Sequence, residues 1–139
     1  MINSSLSLPA TEIVIITGPP CSGKSTYVNE HRELGDVMFD LDLIAAALTG
    51  SDPQHGNWPL GVRTLCLAVR DALIRRVQSR VDIPRLWIIA SDTRHLPNYQ
   101  TVKLGTPMNE CLRRAELRGP EHRKIVEEWF SSHPGWGTH

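Results

Sequence analysis

"TGPPCSGKST", Thr17–Thr26, is the stretch on which the fold turns. Within it Gly18-Pro-Pro-Cys-Ser-Gly23-Lys24-Ser25 satisfies GxxxxGK[ST], the pattern of a phosphate-binding loop. Glycines let the backbone curl so that successive N–H groups point inward at phosphate oxygens, with the dipole of a following helix behind them. Gly18, Pro20, Cys21, Ser22, Gly23, Lys24, Ser25 and Thr26 are therefore candidate nucleotide contacts. Lys24 is placed to reach the outer phosphates and the Ser25 hydroxyl to bind Mg²⁺. A chance glycine-rich turn is the competing reading, and the flanking residues weigh against it. Cys21 is either a redox handle or a small residue filling a loop position.

Before the loop, "EIVIIT" (Glu12–Thr17) is a short β-branched run suited to a buried parallel strand. After it, a helix is predicted from near Gly23 to about His31. "DVMFDLD" carries a second strand into Asp40 and Asp42, and "LIAAAL" (Leu43–Leu48) continues as a short helix. Gly50–Pro59 is a loop broken by Gly and Pro. From Leu60 to Arg80 apolar residues recur at helical spacing: Val62, Leu65, Val69, Leu73 and Val77, with Arg63, Arg70 and Asp71 off that stripe. "RLWIIAS" is a third strand and "NYQTVKLG" a fourth. "PMNECLRRAELRG" opens on Pro107 and closes on Gly119 as a helix does, and a last helix runs from Pro120 to about Ser132 before "HPGWGTH" frays. Strands alternating with helices imply an α/β fold, a short parallel sheet flanked by helices, with expected strand order 2-3-1-4. The division is an arm at 1–11, one domain at 12–132 and a tail at 133–139.

Ligands of such sheets bind beyond the carboxyl ends of the strands. Gly18, the Asp40–Asp42 pair and Asp92 all follow strands, so one sheet edge is expected to gather them. A carboxylate near a phosphate loop can take the proton of an attacking hydroxyl, which is the catalytic reading of Asp42. The alternative is that Asp42 caps a helix beginning at Leu43. Asp40 is a candidate supporting group. Asp92 is either a carboxylate near Mg²⁺ or a loop cap acting through Thr93 and Arg94. Arg114 and Arg118, four apart, share a helix face that either closes over a nucleotide or stays solvated. Arg63 and Arg70 share another face, preceded by His55, Asn57 and Trp58; these either line an acceptor cleft, with Trp58 stacking a base, or are surface charge and a loop anchor.

A formal net charge of zero removes any global basic field for non-specific nucleic-acid binding. Cys21, Cys66 and Cys111 are widely spaced without a CxxC pair, which argues for a reducing compartment and against a zinc site. With no signal-peptide pattern and no apolar run of membrane-spanning length, the expected location is the cytoplasm, the host's in a phage-encoded case, with no membrane partner.

"GPPCSGKST", "FDLD", "IASDT" and "LRRAELRG", in this order and spacing, resemble the P-loop kinase domain of the phage polynucleotide 5′-hydroxyl kinases. They are also similar to small P-loop ATPases of actinobacterial phages. The resemblance spans Glu12 to Trp129. It implies ATP or another NTP as donor, with Mg²⁺, and transfer of the γ-phosphoryl group to a hydroxyl. It makes Lys24, Asp42 and Arg118 catalytic: Asp42 as general base, Arg118 on the donor's phosphates, and Arg114 beside the adenine or in the same pocket. Asp92, Arg94 and Arg63 fall on the acceptor side, where Arg63, Arg70 or Arg94 would have to substitute for an anchor that the family has and this chain lacks. The family has an arginine three residues after the base; here that position is Ala45. The acceptor implied first is a nucleic-acid 5′-hydroxyl, and second a nucleoside or the hydroxymethyl group of a modified base. The rival class is an NTP-hydrolysing switch or assembly protein without an acceptor, although no NKxD-like stretch or strand-end "DE" pair supports it.

Overall fold

The computed structural model describes residues 9–53, 57–79 and 81–136. The element order is β1 (Glu12–Thr17), α1 (Lys24–His31), β2 (Val37–Phe39), α2 (Leu41–Thr49), α3 (Leu60–Val77), β3 (Arg85–Ala90), β4 (Gln100–Lys103), α4 (Met108–Glu116) and α5 (Pro120–Ser132). It is an α/β fold: a four-stranded parallel sheet in the order β2-β3-β1-β4, flanked by five helices, as expected. β2 runs parallel to β3 with Val37, Met38 and Phe39 opposite Leu86, Trp87 and Ile88. Ile13, Val14, Ile15 and Ile16 of β1 are all buried, as a central strand covered on both faces requires. Each such side chain contributes about 1.5–3 kcal/mol of burial free energy.

The chain forms two compact units. One takes Arg32–Ile88 with the segment up to Val14; the other takes Ile15–His31 with the segment from Ile89 onward. In the first, α2 and α3 pack through Ala45, Ala46, Trp58 and Cys66, with Leu41, Ile44 and Val62 around them. A buried carboxylate ties the turn before β2 to β3. Asp36 Oδ2 accepts from Glu33 N at 3.0 Å and from Trp87 Nε1 at 2.9 Å, while Arg85 Nη1 lies 3.6 Å away and its guanidinium covers the Trp87 ring at 5.1 Å. The edge of the unit is fastened by Thr11 Oγ1 donating to the Ile83 carbonyl at 2.7 Å.

In the second unit α4 and α5 pack on Cys111, Ala115 and Val126, against which Cys21, Leu112 and Phe130 also rest. Burial pushes the Cys111 thiol up to about 11. The segment after α5, expected to fray, is instead pinned as far as Trp136. His133 stacks on Trp129 with ring centroids 3.8 Å apart, Trp136 meets Trp129 edge-on at 5.0 Å, and Trp136 Nε1 donates to the Leu104 carbonyl at 3.2 Å. Aromatic edges and faces attract, and an indole N–H seeks an acceptor when it is covered.

Two further expectations are corrected. The helix after β2 begins at Leu41 rather than Leu43, and its cap is Asp40, not Asp42: the Asp40 carboxylate accepts from Asp42 N at 3.0 Å. The inward stripe of α3 is turned from the expected one. Cys66, Ile74 and Val77 are buried, whereas Leu65 is 60% exposed and the Arg70 side chain only 11%. His55, Arg80, and the ends of the predicted arm and tail at 1–8 and 137–139 lie outside the described residues.

Candidate active site

The phosphate loop is built within the second unit, between β1 and α1. Ser22 N donates to the Pro19 carbonyl at 3.2 Å, closing a turn, and Tyr27 N donates to Gly23 O at 2.9 Å, the first bond of the helix. Two residues carry left-handed backbone here: Gly23 at φ 96° and Cys21 at φ 64°. Glycine suits the first; at the second a non-glycine residue is held where few side chains sit. Gly18 is required by space alone. A Cβ there would lie 2.8 Å from Ser22 Oγ and 3.2 Å from both Cβ and O of Leu104. Lys24 folds its ammonium over the loop, donating to the carbonyls of Gly18 at 2.9 Å and Pro19 at 2.8 Å.

Arg114 of α4 and Arg118 both reach the same loop, but α4 ends at Glu116, so Arg118 stands in the turn after the helix rather than on the shared helix face that was expected. Arg114 Nη1 donates to Cys21 O at 3.2 Å, and Arg118 Nη1 lies 3.4 Å from Cys21 Sγ. Cys21, Ser22, Gly23, Thr26, Tyr27, Glu30, Leu104, Arg114 and Arg118 line one cavity of about 410 Å³. Its rim is held from behind. Glu110 accepts from Arg113 and, at 2.8 Å, from Arg114 Nε, and these guanidiniums, Arg113 first, draw its carboxyl down to about 2. Thr106 Oγ1 donates to Ser22 O at 2.9 Å. Glu110 was legible as an i,i+4 partner of Arg114; Thr106, Tyr27, Glu30 and Leu104 carried no motif.

The loop residues fit a bound triphosphate. Gly18 and Gly23 leave a cradle that a Cβ would crowd, two guanidiniums line the cavity, and Ser22 Oγ is buried with no hydrogen-bond partner among the described residues. Ser25 is exposed at the start of α1, where its hydroxyl would be one oxygen ligand for a Mg²⁺ ion. Among the described residues no group of three or more His, Cys, Asp or Glu side chains could hold a metal ion.

In the first unit, Asp42 lies half-buried in the first turn of α2. Trp58 Nε1 donates to Asp42 Oδ1 at 2.9 Å, so Trp58 is a buried anchor rather than a free stacking surface. Ala45 is fully buried in the Trp58 cluster, so the position where the resembling kinases carry arginine has no exposure here. Cys66 sits in the same cluster, and its thiol is pushed up by burial and then by the charge of Asp42. Arg63 is exposed on α3. Asp92 makes the loop cap that was one of its two readings: Arg94 N donates to Oδ1 at 3.0 Å and the Arg94 guanidinium grips both oxygens, holding the carboxyl at about 2. None of the helices is long and apolar enough to cross a membrane, among the described residues.

Comparison with known proteins agrees with this architecture. A curated relative, a dephospho-CoA kinase of Rhodopirellula baltica, is 46% identical over 41 residues, which is 30% of this chain and 19% of that protein. The chain thus matches only a small part of that relative's length. Among solved structures, TT1252 from Thermus thermophilus superposes with a TM-score of 0.59 at 21% identity, over 94% of this chain and 84% of its own. A chain of the Pnkp1/Rnl/Hen1 RNA repair complex superposes with a TM-score of 0.61 at 14% identity, over 96% of this chain and 49% of that one. These two likenesses establish the fold. The family model described as "AAA domain" matches residues 13–94, from β1 through the loop, Asp42 and Asp92. The match covers more than half of the sequence, and this P-loop chain belongs to that AAA-domain family.

Proposed function

We propose that the protein is an ATP-dependent phosphotransferase that moves the γ-phosphoryl group of a nucleotide to a hydroxyl acceptor, first of all a nucleic-acid 5′-hydroxyl. The observation that carries the donor half is the cavity in which Arg114, on α4, and Arg118, in the turn after it, meet Cys21 of the loop. A loop that only held a nucleotide would have less use for two guanidiniums at its mouth. Charge that spreads over a transferring phosphoryl group is what such donors stabilise. The 46%-identical stretch shared with a protein named as a kinase supports the same reaction class.

In this reading the loop amides and Lys24 hold the β- and γ-phosphates, and Ser25 contributes to the metal site. Mg²⁺, when bound, neutralises phosphate charge. Asp42 accepts the proton of the acceptor hydroxyl as that oxygen forms its bond to the γ-phosphorus. The bond from the γ-phosphorus to the bridging oxygen breaks, and the nucleoside diphosphate leaves with that electron pair. Arg118, with Arg114, meets the charge that develops on the transferring group. With Ala45 buried, an acceptor cannot rely on an arginine at that position; a nucleoside or a hydroxymethylated base needs no such anchor and is the second choice.

The test is transfer from γ-³²P-ATP to a panel of acceptors: 5′-hydroxyl DNA and RNA oligonucleotides, nucleosides, DNA containing 5-hydroxymethyl bases, and dephospho-CoA. A labelled acceptor is expected, with transfer lowered by about 10²-fold or more in each of Lys24→Ala, Asp42→Ala and Arg118→Ala. Steady phosphate release with every acceptor unlabelled would overturn the transferase reading in favour of a hydrolase or switch.

A further inference from the structure

We infer that Trp58 is a positioning residue for Asp42, a role that rests on the transferase reading of Asp42. Trp58 stands at the end of the connection between α2 and α3, its indole 7% exposed and its Nε1–H on Asp42 Oδ1 at 2.9 Å. Ala45 and Ala46 lie three and four residues after Asp42, so they share its face of α2. Both are buried beside Trp58 and Cys66. Methyl-sized side chains at these positions let an indole lie across the helix and reach the carboxylate. A larger residue at 45 would take the place of the ring. The small pair, the buried ring and the hydrogen bond are thus one device.

The donor's chemistry suits the task. An indole N–H donates only and carries no charge, so it fixes the rotation of a carboxylate without offering a competing site for the proton. An arginine or lysine in its place would pair with the anion and weaken it as a base. Asp40, in capping α2, and Cys66, on the facing helix, are titratable groups beside Asp42. Asp40 is occupied in capping the helix, and burial keeps Cys66 protonated. What Trp58 adds is orientation, and misplacing a reacting group by about 1 Å can cost roughly 10²-fold in rate.

The experiment compares Trp58→Phe, which keeps an aromatic ring and removes the donor, with Asp42→Ala and the double variant, using γ-³²P-ATP and whichever acceptor the panel labels. Trp58→Phe should lower kcat by about 10- to 100-fold, leave KM for ATP within about two-fold, and add nothing to the loss in Asp42→Ala. In ¹H–¹⁵N spectra of the otherwise intact protein, the indole cross-peak lost in Trp58→Phe should move in Asp42→Ala. A folded Trp58→Phe with unchanged kcat, while Asp42→Ala is inactive, overturns the positioning role and leaves the transferase standing. Additive losses overturn it too. An active Asp42→Ala overturns the base assignment and the role with it. Should Trp58→Phe fail to fold, Asp42→Ala decides through the indole peak assigned by other means, and an unmoved peak overturns the contact.

Discussion

Gly18→Ala isolates how closely the phosphate loop is packed. Gly18 has no left-handed backbone, so the substitution adds a methyl group and no torsional strain. The methyl group would meet Ser22 Oγ at 2.8 Å, about 0.6 Å inside the 3.4 Å at which ordinary contact begins, and Leu104 Cβ and O about 0.2 Å inside it. Ser22 is buried and turns its hydroxyl inward, and the Leu104 carbonyl is backbone that also receives the Trp136 indole, so neither side yields freely. Overpacking of this kind costs about 1–3 kcal/mol, or roughly 3–10 °C in Tm for a domain of this size. Thermal melts followed by circular dichroism measure the loss, and equilibrium binding of a fluorescent ATP analogue measures the loop. Adding Ser22→Ala removes the shorter contact together with a hydroxyl that has no partner among the described residues, and should restore more than half of the lost Tm. A Gly18→Ala protein melting within about 1 °C of wild type would refute the packing argument, as would a double variant no better than the single.

Two further predictions concern the ion pairs. Arg94 holds the Asp92 carboxyl at about 2, below its usual 3.8, so the pair's contribution is present above that ordinary value and disappears as pH falls through about 2. NMR titration of the Asp92 carboxyl should show a midpoint near 2 that rises towards 3.8 in Arg94→Ala, with little change in Tm at neutral pH because Arg94 is exposed. Glu110→Gln should release Arg114 from its tether and weaken ATP binding by about 3- to 10-fold in calorimetry, whereas Arg113→Ala should leave it unchanged.

What could be read from the residues was what depends on local spacing. A β-branched run, GxxxxGKS and a following helix define β1, the loop and α1 without help from the rest of the chain. The Arg114 and Arg118 pair was legible by its four-residue step, although α4 ends at Glu116 and leaves Arg118 in the turn beyond it. Its purpose was not, because Arg114 meets Cys21 across 93 positions of sequence. The helix start was misplaced because Asp40 and Asp42 both look like caps in a string of letters. Only the end of β2 at Phe39 decides that Asp40 bends back to the amide of Asp42. On α3 the apolar letters gave Leu65 a core place, yet the packing against α2 selects Cys66, and the Arg70 side chain is largely covered, as long basic side chains allow. The Trp58 contact with Asp42 depends on how a loop folds back over α2, which no periodicity records.

The tryptophans fall two and two: Trp58 and Trp87 in one compact unit, Trp129 and Trp136 in the other. Each of the first pair gives its indole proton to a carboxylate, whereas the second pair give theirs to backbone carbonyls. Intrinsic emission therefore reports on two neighbourhoods without any added label. Replacing one pair by phenylalanine at a time would yield two optical reporters of a single denaturation, and the separation of their midpoints would measure whether the two units lose their structure together.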